Sequence, residues 1–188
     1  KMRCFASAPS NPSVIYACLT GQTWGNTDAE KFFFRTTIGG GTGPNDWSNF
    51  TTYLPQDVID YFSINAIVVD PNDPNRLWIG CGGYSANEYS PIPAPYNGDR
   101  RVYASEDGGQ TWTDYSTGLP GLAINDMVYQ RGSDDAIYVA TDVGVFYRDH
   151  NMSQWECFNT GMPTMIVNDL DVDYCSRTLY AGAQGRGL

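Results

Sequence analysis

Acidic side chains occur in three long segments between apolar runs, at residues 20–31, 56–62 and 84–99. Glycoside hydrolysis needs two carboxylates, about 5–10 Å apart, on either side of the bond that is cleaved. The spacing of the carboxylates along the chain selects no particular pair. The sequence therefore contains residues that could catalyse this reaction but does not identify which two would do so. The candidates for a catalytic pair are Asp57 or Asp60 set against Asp28 or Glu88.

The same segments carry aromatic rings that suit the binding of sugar or peptide. A ring covers the apolar side of a ligand while nearby carboxylates accept its hydrogen bonds. Long ordered loops on a rigid scaffold are where binding function usually lies. The alternative, which we weigh equally, is that the prolines of segment 84–99 pin a connector against a neighbouring part of the protein. The predicted ligand-binding residues are Trp24, Tyr61, Tyr84, Tyr89 and Tyr96.

A turn motif occupies residues 105–112, with the sequence Ser-Glu-Asp-Gly-Gly-Gln-Thr-Trp. Its Asp107 carboxylate is expected to accept hydrogen bonds from backbone amides of the same turn. Glycine there permits a positive φ, and the final tryptophan is a large apolar anchor between hairpins. Asp107 is therefore predicted to brace a turn rather than to catalyse. The structural set is Ser105, Asp107, Gly109, Thr111 and Trp112.

This motif resembles, position for position, the Asp box of the BNR-repeat β-propellers. That superfamily includes sialidases, xyloglucanase-like glycosidases and sortilin-type receptor domains. The resemblance implies a β-propeller with its ligand loops on the face opposite the Asp-box turns. A sialidase would need an arginine triad and a Tyr–Glu nucleophile pair, and the arginines here form no recognisable version of them. In xyloglucanase-like enzymes the acid and the base come from two propellers that face each other.

Internal repeats support this architecture. Tryptophan, proline and asparagine each recur 43 residues apart, in the pairs Trp112 and Trp155, Pro120 and Pro163, and Asn125 and Asn168. An earlier copy runs from Trp47 to Pro55, and residues 9–17 match residues 71–79 without a gap. Propeller blades typically repeat every 40–45 residues or so. Four copies of one unit are therefore predicted.

Each copy indicates four short strands rich in Val, Ile, Tyr and Phe. In the cleanest copy these are Ile124–Tyr129, Ala136–Thr141, Val145–Arg148 and Trp155–Phe158. We therefore predict an all-β fold, a partial β-propeller of four-stranded antiparallel blades, with no helix longer than a turn or two. The predicted blades are residues 1–50, 51–115, 116–158 and an incomplete 159–188.

About three and a half blades would leave sheet edges open, so further protein is expected to cover them. We expect the remaining blades of a six- to eight-bladed protein, or another subunit, to cover them. The ending Gly-Arg-Gly-Leu at residues 185–188 resembles a run in the last blade of secreted Bacteroidota surface propellers.

Composition excludes some partners. A net charge of −10 repels nucleic acid phosphates and anionic membranes. No apolar run approaches the roughly 20 residues of a membrane span, so membrane insertion is not expected. No cofactor or metal is predicted, and calcium in an acidic loop is left open. His150, which stands where a second copy of Asp107 would fall, is predicted to be a turn residue.

The five cysteines fit no zinc signature. A turn centred on Asn11 would set Cys4 opposite Cys18, so a disulfide Cys4–Cys18 is predicted. A second disulfide, Cys157–Cys175, is predicted at the junction of the last two blades. Buried thiols are the equal alternative.

Scarce lysine and polar loops favour a location outside the cell or at its surface. We favour a non-catalytic module that binds glycan or protein, or serves assembly. The alternative is a glycoside hydrolase with paired carboxylates.

Overall fold

The computed structural model describes residues 2–20, 31–43, 45–83, 86–87, 90–91 and 99–185. They form three four-stranded antiparallel sheets and two two-stranded sheets, which confirms the predicted all-β class. Within these ranges, helical structure is limited to the 3₁₀ turn Thr51–Tyr53 and the helix α1, Gln56–Asp60. Pro55 precedes α1, and its fixed φ suits a helix start.

The first sheet has the order β1-β2-β3-β4. Its strands are β1 (Met2–Ala8), β2 (Asn11–Thr20), β3 (Lys31–Thr36) and β4 (Ser48–Asn49). Alternate side chains of β2, at Val14, Tyr16 and Cys18, are buried on one face of the sheet. This period of two is the pattern expected of a strand with one covered face.

The second sheet has the order β10-β9-β6-β5. Its strands are β5 (Ser63–Val69), β6 (Leu77–Gly82), β9 (Val102–Ser105) and β10 (Thr113–Asp114). A small hairpin, β7 (Ala86–Asn87) with β8 (Ser90–Pro91), lies between β6 and β9 in the sequence. Every residue of β6 is buried, because this strand is covered on both faces.

The third sheet confirms the predicted strands to within one or two residues. They are β11 (Ile124–Tyr129), β12 (Ile137–Thr141), β13 (Gly144–Arg148) and β14 (Glu156–Cys157), in that order across the sheet. A final antiparallel pair follows, β15 (Val167–Asp173) and β16 (Thr178–Ala183).

The sheets pack face to face, as the blades of a β-propeller do. One apolar core lies between the first and second sheets, a second between the second and third, and a third between the third sheet and the β15–β16 pair. A bulged asparagine near the start of β5 and of β11 links each of these inner strands to the next: Asn65 Nδ2 donates to Ile124 O at 3.0 Å, and Asn125 Nδ2 donates to Val167 O at 2.9 Å.

The motif at residues 105–112 forms a tight connection between β9 and β10, which we call the Asp107 turn. Asp107 Oδ1 accepts hydrogen bonds from the amides of Gln110 and Thr111, each at 2.9 Å, and Oδ2 accepts one from the Thr111 hydroxyl at 2.6 Å. Gly109 has a φ of 93°, and a Cβ there would lie 3.1 Å from a ring carbon of Phe33. Glycine is therefore required at this position.

The two predicted disulfides are not formed in the structure, in which all five cysteines are thiols. Cys4 does lie directly opposite Cys18, as predicted, and the two thiols interact, while Cys4 Sγ also donates to Ile64 O at 3.7 Å. Cys157 lies on β14, at the outer edge of the third sheet, whereas Cys175 follows β15, which packs on the inner strand β11. Three strand positions separate β14 from β11, so this pairing joins opposite sides of the sheet.

Candidate functional site

Three connections meet at the end of the sheets opposite the Asp107 turn, which we call the loop end. The first contains α1, the second leads into β9 at Arg101, and the third precedes β11 at Gly121. Tyr103 contacts Asp57 across the first two, and Arg101 Nε donates to Gly121 O at 3.1 Å across the second and third. The loop end is therefore assembled from both the first-to-second and the second-to-third sheet connections.

Asp57 is a buried acceptor in this assembly. Its side chain is 4 % exposed; Oδ1 accepts the Val58 amide at 2.9 Å, and Oδ2 accepts the Tyr103 hydroxyl. Burial, together with this hydrogen bond to a carboxylate, raises the pKa of Tyr103 well above its usual value. Tyr103 therefore stays protonated at neutral pH and remains a donor to Asp57.

Arg101 lies beside this pair, entirely buried. Its guanidinium carbon lies 4.2 Å from the centre of the Phe62 ring. Burial lowers its pKa, although Cys81 and nearby acidic groups oppose the change. Nη1 and Nη2 have no hydrogen-bond partner in the part of the chain that the structure describes. A cation held by one hydrogen bond and one ring is a weakly compensated group.

The other predicted site residues divide between the described and undescribed parts of the chain. Asp60 is exposed at the end of α1 and accepts a hydrogen bond from Gln56 Nε2 at 2.9 Å. Tyr61 is half-buried and packs against the core between the first and second sheets. The structure thus brings Asp57, Asp60 and Tyr61 together at the loop end. The predicted residues outside the described ranges are Asp28, Glu88, Trp24, Tyr84, Tyr89 and Tyr96.

A carboxyl pair that the loop analysis missed lies on the inner strands. Asp126 Oδ2 accepts the Leu170 amide at 2.9 Å. Burial is the main reason that the pKa of Asp126 is raised, and the neighbouring Asp169 carboxyl adds to this effect. Asp126 and Asp169 are 43 residues apart, so the repeat that relates Asn125 to Asn168 was the signal that could have found them.

Near the Asp107 turn, ligand atoms of Asp134, Asp135 and His150 lie within 4.8 Å of one another, a spacing that metal sites use. Arg76 already pairs with one member of this group, Asp135. Its Nη1 and Nη2 each donate to an oxygen of Asp135 at 2.6 Å, and Tyr129 donates to the same carboxylate at 2.9 Å. A bidentate guanidinium places positive charge where a metal would bind, so this group acts as an ion pair between sheets.

The chain was compared with known proteins. No protein-family model matches it. Over 137 residues it is 25 % identical to a xyloglucanase of Acetivibrio thermocellus, an alignment that covers 67 % of this chain and 15 % of that enzyme. Over 199 residues it is 24 % identical to an oligoxyloglucan-reducing end-specific xyloglucanase of Emericella nidulans, covering 77 % of this chain and 24 % of that enzyme. The chain therefore spans less than a quarter of the length of these relatives.

Solved structures show the same architecture. An ancestral GH74 enzyme superposes with a TM-score of 0.61 at 16 % identity, over 97 % of this chain and 22 % of that chain. The extracellular domain of a proposed one component system from B. thetaiotaomicron superposes with a TM-score of 0.50 at 13 % identity, over 98 % and 25 % of the two chains. Likeness at these identities establishes the fold, which is that of part of a β-propeller.

Proposed function

We propose that this chain is part of an extracellular β-propeller that binds a xyloglucan-type β-glucan at its loop end without hydrolysing it. The similarity to two xyloglucanases supports the ligand class. The solved extracellular domain with the same fold supports the location. No helix among the described residues is long and apolar enough to cross a membrane.

One observation carries the non-catalytic part of this proposal: the engagement of Asp57. A general acid or a nucleophile must reach the glycosidic oxygen or the anomeric carbon of a sugar. Asp57 is buried, and both of its oxygens accept hydrogen bonds from the protein. Asp60 is the one solvent-exposed member of the predicted carboxylates that the structure describes. Because Asp28 and Glu88 lie outside the described ranges, the described residues supply one accessible carboxylate of the pair that hydrolysis needs, which supports a binding role.

The loop end still suits sugar binding. Tyr61 offers part of a ring, and Asp60 offers acceptor oxygens one residue earlier in the chain. Sugar sites commonly combine an aromatic face with a few polar groups that set orientation. Further propeller blades or another subunit at the open sheet edges belong to this proposal, because apolar side chains such as Phe5 and Tyr180 are 67 % and 52 % exposed on the terminal sheets.

The second candidate is a glycoside hydrolase, which the two xyloglucanase relatives favour. In that case the second carboxylate comes from a part of the protein that faces this loop end. Asp60 is then the contribution of this chain, because a catalytic carboxylate must be accessible to the substrate.

Affinity electrophoresis on xyloglucan, combined with an assay for new reducing ends, tests both candidates. We expect retarded migration without reducing-end release, and we expect Tyr61→Ala to weaken the retardation. Asp134→Asn, which alters an exposed carboxylate near the Asp107 turn, is the matched control for Asp60→Asn, and xyloglucan should retard it as strongly as it retards the parent. Migration that xyloglucan does not alter would refute the binding proposal. Reducing-end release that Asp60→Asn abolishes would establish the hydrolase instead.

A further inference from the structure

A groove between the third sheet and the β15–β16 pair, which we call the outer groove, presents accessible side chains. Its volume is about 760 Å³; Tyr138 and Phe158 line it from the third sheet, and Leu179 lines it from β16. Phe158 is 50 % exposed, so a large aromatic ring is available to a partner. An accessible aromatic ring in a groove of this size indicates an interaction surface.

The interface between the second and third sheets shows how such a ring is used. Trp155 lies against Tyr115 with the ring centres 6.0 Å apart, and its indole Nε1 donates to Tyr115 O at 2.6 Å. The Trp155 amide donates to Thr117 O at 2.8 Å. A Cβ on Gly118 would lie 2.6 Å from Trp155 O, so glycine permits this close approach of two backbones. We call Tyr115, Thr117 and Gly118 the tryptophan seat.

The chain contains the same seat 43 residues later, at Phe158, Thr160 and Gly161. Gly118 and Gly161 have similar φ values, 95° and 79°. The two turns are closed by equivalent amide-to-carbonyl hydrogen bonds, at 2.9 and 2.8 Å. A Cβ on Gly161, however, would meet no atom within 4 Å among the described residues. The second seat is therefore formed and accessible.

Strand β16 offers a free edge beside the second seat. The strands at the same place in the repeat, β6 and β12, each pair with a strand on both sides. Within the described ranges, β16 pairs with β15 alone. A free edge presents a row of backbone N–H and C=O groups that an added strand can satisfy. The outer groove can therefore receive a β-strand together with an aromatic ring.

Two cations at the outer groove favour an acidic partner. Arg131 and Arg177 are both exposed, and neither guanidinium has an ion pair or a hydrogen bond among the described residues. The Arg131 guanidinium carbon lies 5.8 Å from the centre of the Tyr174 ring. In the second sheet, by contrast, Arg76 Nε lies 3.6 Å from Oε1 of Glu106, an acidic residue of the Asp107 turn. A turn of that composition supplies the charge that complements two arginines.

We propose that the outer groove is the docking site for an acidic β-hairpin of the Asp-box type, which forms the outer strand pair of a fourth blade. The first strand of the hairpin pairs with β16. The tryptophan that opens its second strand lies against Phe158, and the amide of that tryptophan donates to Thr160 O. The acidic turn meets Arg131 and Arg177. This inference rests on the assembly part of the proposed function and is independent of glucan binding.

A synthetic peptide with the sequence of residues 101–117, cyclised to hold its hairpin, is the probe for this site. Added to the ¹⁵N-labelled full chain, it should shift the NMR signal of the Gly161 amide in a saturable way. The Gly118 signal is the internal control and should stay unmoved, because Trp155 already fills the first seat. The peptide with Trp112→Ala should bind about ten-fold more weakly, because a buried tryptophan commonly dominates an interface.

The peptide comparison leaves the chain itself unchanged, so the folding of a variant does not affect it. In the chain, Arg177→Glu should weaken peptide binding about three-fold through charge repulsion, whereas Arg100→Glu, at the loop end, should bind as the parent does. A Gly161 signal that the peptide leaves unmoved, or equal binding of the parent and Trp112→Ala peptides, would overturn the proposal.

The docking site and the glucan site lie at different places on the sheets, so their failures can be told apart. A chain that binds the peptide but does not bind xyloglucan would refute the glucan part of the proposed function alone. A chain that binds xyloglucan but leaves the peptide free would refute the docking site alone.

Discussion

The hydroxyl of Tyr103 donates a hydrogen bond to the carboxylate of Asp57, which fastens α1 to β9 across 46 positions of the chain. Asp57 has only the Val58 amide as a further donor among its described contacts. This buried side-chain pair therefore helps to hold α1 against the second sheet, together with Val58 and Phe62, which pack in the core between the first and second sheets.

Tyr103→Phe removes this donor and keeps the ring. We expect the free energy of unfolding in urea to fall by about 1–3 kcal/mol, because a buried carboxylate loses its partner. Tyr53→Phe is the control, since Tyr53 is 49 % exposed, and it should change stability by less than about 0.5 kcal/mol. Equal stability of Tyr103→Phe and the parent would contradict a structural role for Asp57 and would reopen its catalytic role.

Asp107 makes the turn between β9 and β10 sensitive to pH. Burial opposes the change, but the hydrogen bonds from Thr111, Ser105 and Gln110 together outweigh it and lower the pKa of Asp107 to about 2. The unfolded value is close to 3.9, so the stabilisation is complete above that pH and is lost as the pH falls through about 2. Asp107→Asn should cost about 1 kcal/mol at neutral pH after allowance for solvent screening.

Urea unfolding of Asp107→Asn and of the parent at several pH values measures this effect. The difference between them should shrink as the pH approaches 2. Asp171→Asn, which alters an exposed carboxylate on β15, should show no such convergence. A pH-independent difference at position 107 would mean that shape rather than charge braces the turn.

The regular part of this architecture could be predicted from the sequence. Strands β11 to β14 are predicted by alternating apolar residues between turn signals. The Asp107 turn is predicted by an aspartate and glycines whose residue types favour a tight turn. The register of β1 on β2 agrees with the prediction, because the short turn between these strands determines it: Cys4 lies opposite Cys18. These features depend on contacts that are local in the sequence.

The site could not be predicted in the same way. The sequence makes Asp57 a candidate for a catalytic pair because it lies in a long acidic segment, but in the fold it is buried and accepts a hydrogen bond from Tyr103, 46 residues away. Arg101 Nη1 and Nη2 and Trp78 Nε1 are also buried without hydrogen-bond partners among the described residues. Their burial likewise results from packing against strands that are distant in the sequence. Composition of a loop indicates which groups are available, whereas their burial is decided by packing between sheets.

Arg76 and Asp135 couple the second and third sheets. Burial opposes ionisation of Asp135, but its hydrogen bonds to Arg76 hold the pKa of Asp135 below its usual value. Arg76→Met should therefore destabilise the chain by about 3–5 kcal/mol, because a buried carboxylate is left without its cation. The double variant Arg76→Met/Asp135→Asn should recover much of this loss in urea unfolding, because asparagine removes the charge and tolerates the φ of 58° at this position. If the double variant is less stable than Arg76→Met, the ion pair is not what couples the sheets.

Cys4 and Cys18 are placed for a bond that the thiol form lacks. Their strands already hold them opposite each other, so oxidation by a small disulfide such as oxidised glutathione should join them by thiol exchange. The closed loop contains the turn between β1 and β2, and the bond should stabilise the chain by about 3 kcal/mol. Peptide mapping under non-reducing conditions identifies the link. Mapping that finds Cys4 and Cys18 unlinked after oxidation would rule out this pairing.

Asp126 should give the stability of the chain a pH dependence opposite to the one that Asp107 gives it. Burial, with Asp169 nearby, raises its pKa, so the folded chain binds this proton more tightly than the unfolded chain does. Stability is then highest below the unfolded pKa and is lost as the pH rises through the folded value. Asp126→Asn removes the titrating group, and its amide oxygen can still accept the Leu170 N–H. We expect this variant to be about 1 kcal/mol more stable than the parent at neutral pH.

Urea unfolding between about pH 4 and pH 8 separates this prediction from a simple packing effect. The advantage of Asp126→Asn should grow with pH, because only the parent acquires a buried negative charge beside Asp169. Asp126→Leu serves as the comparison, since it removes the charge and also leaves the Leu170 amide without an acceptor. If Asp126→Asn were less stable than the parent at every pH, the carboxylate itself would be required to join β11 to β15.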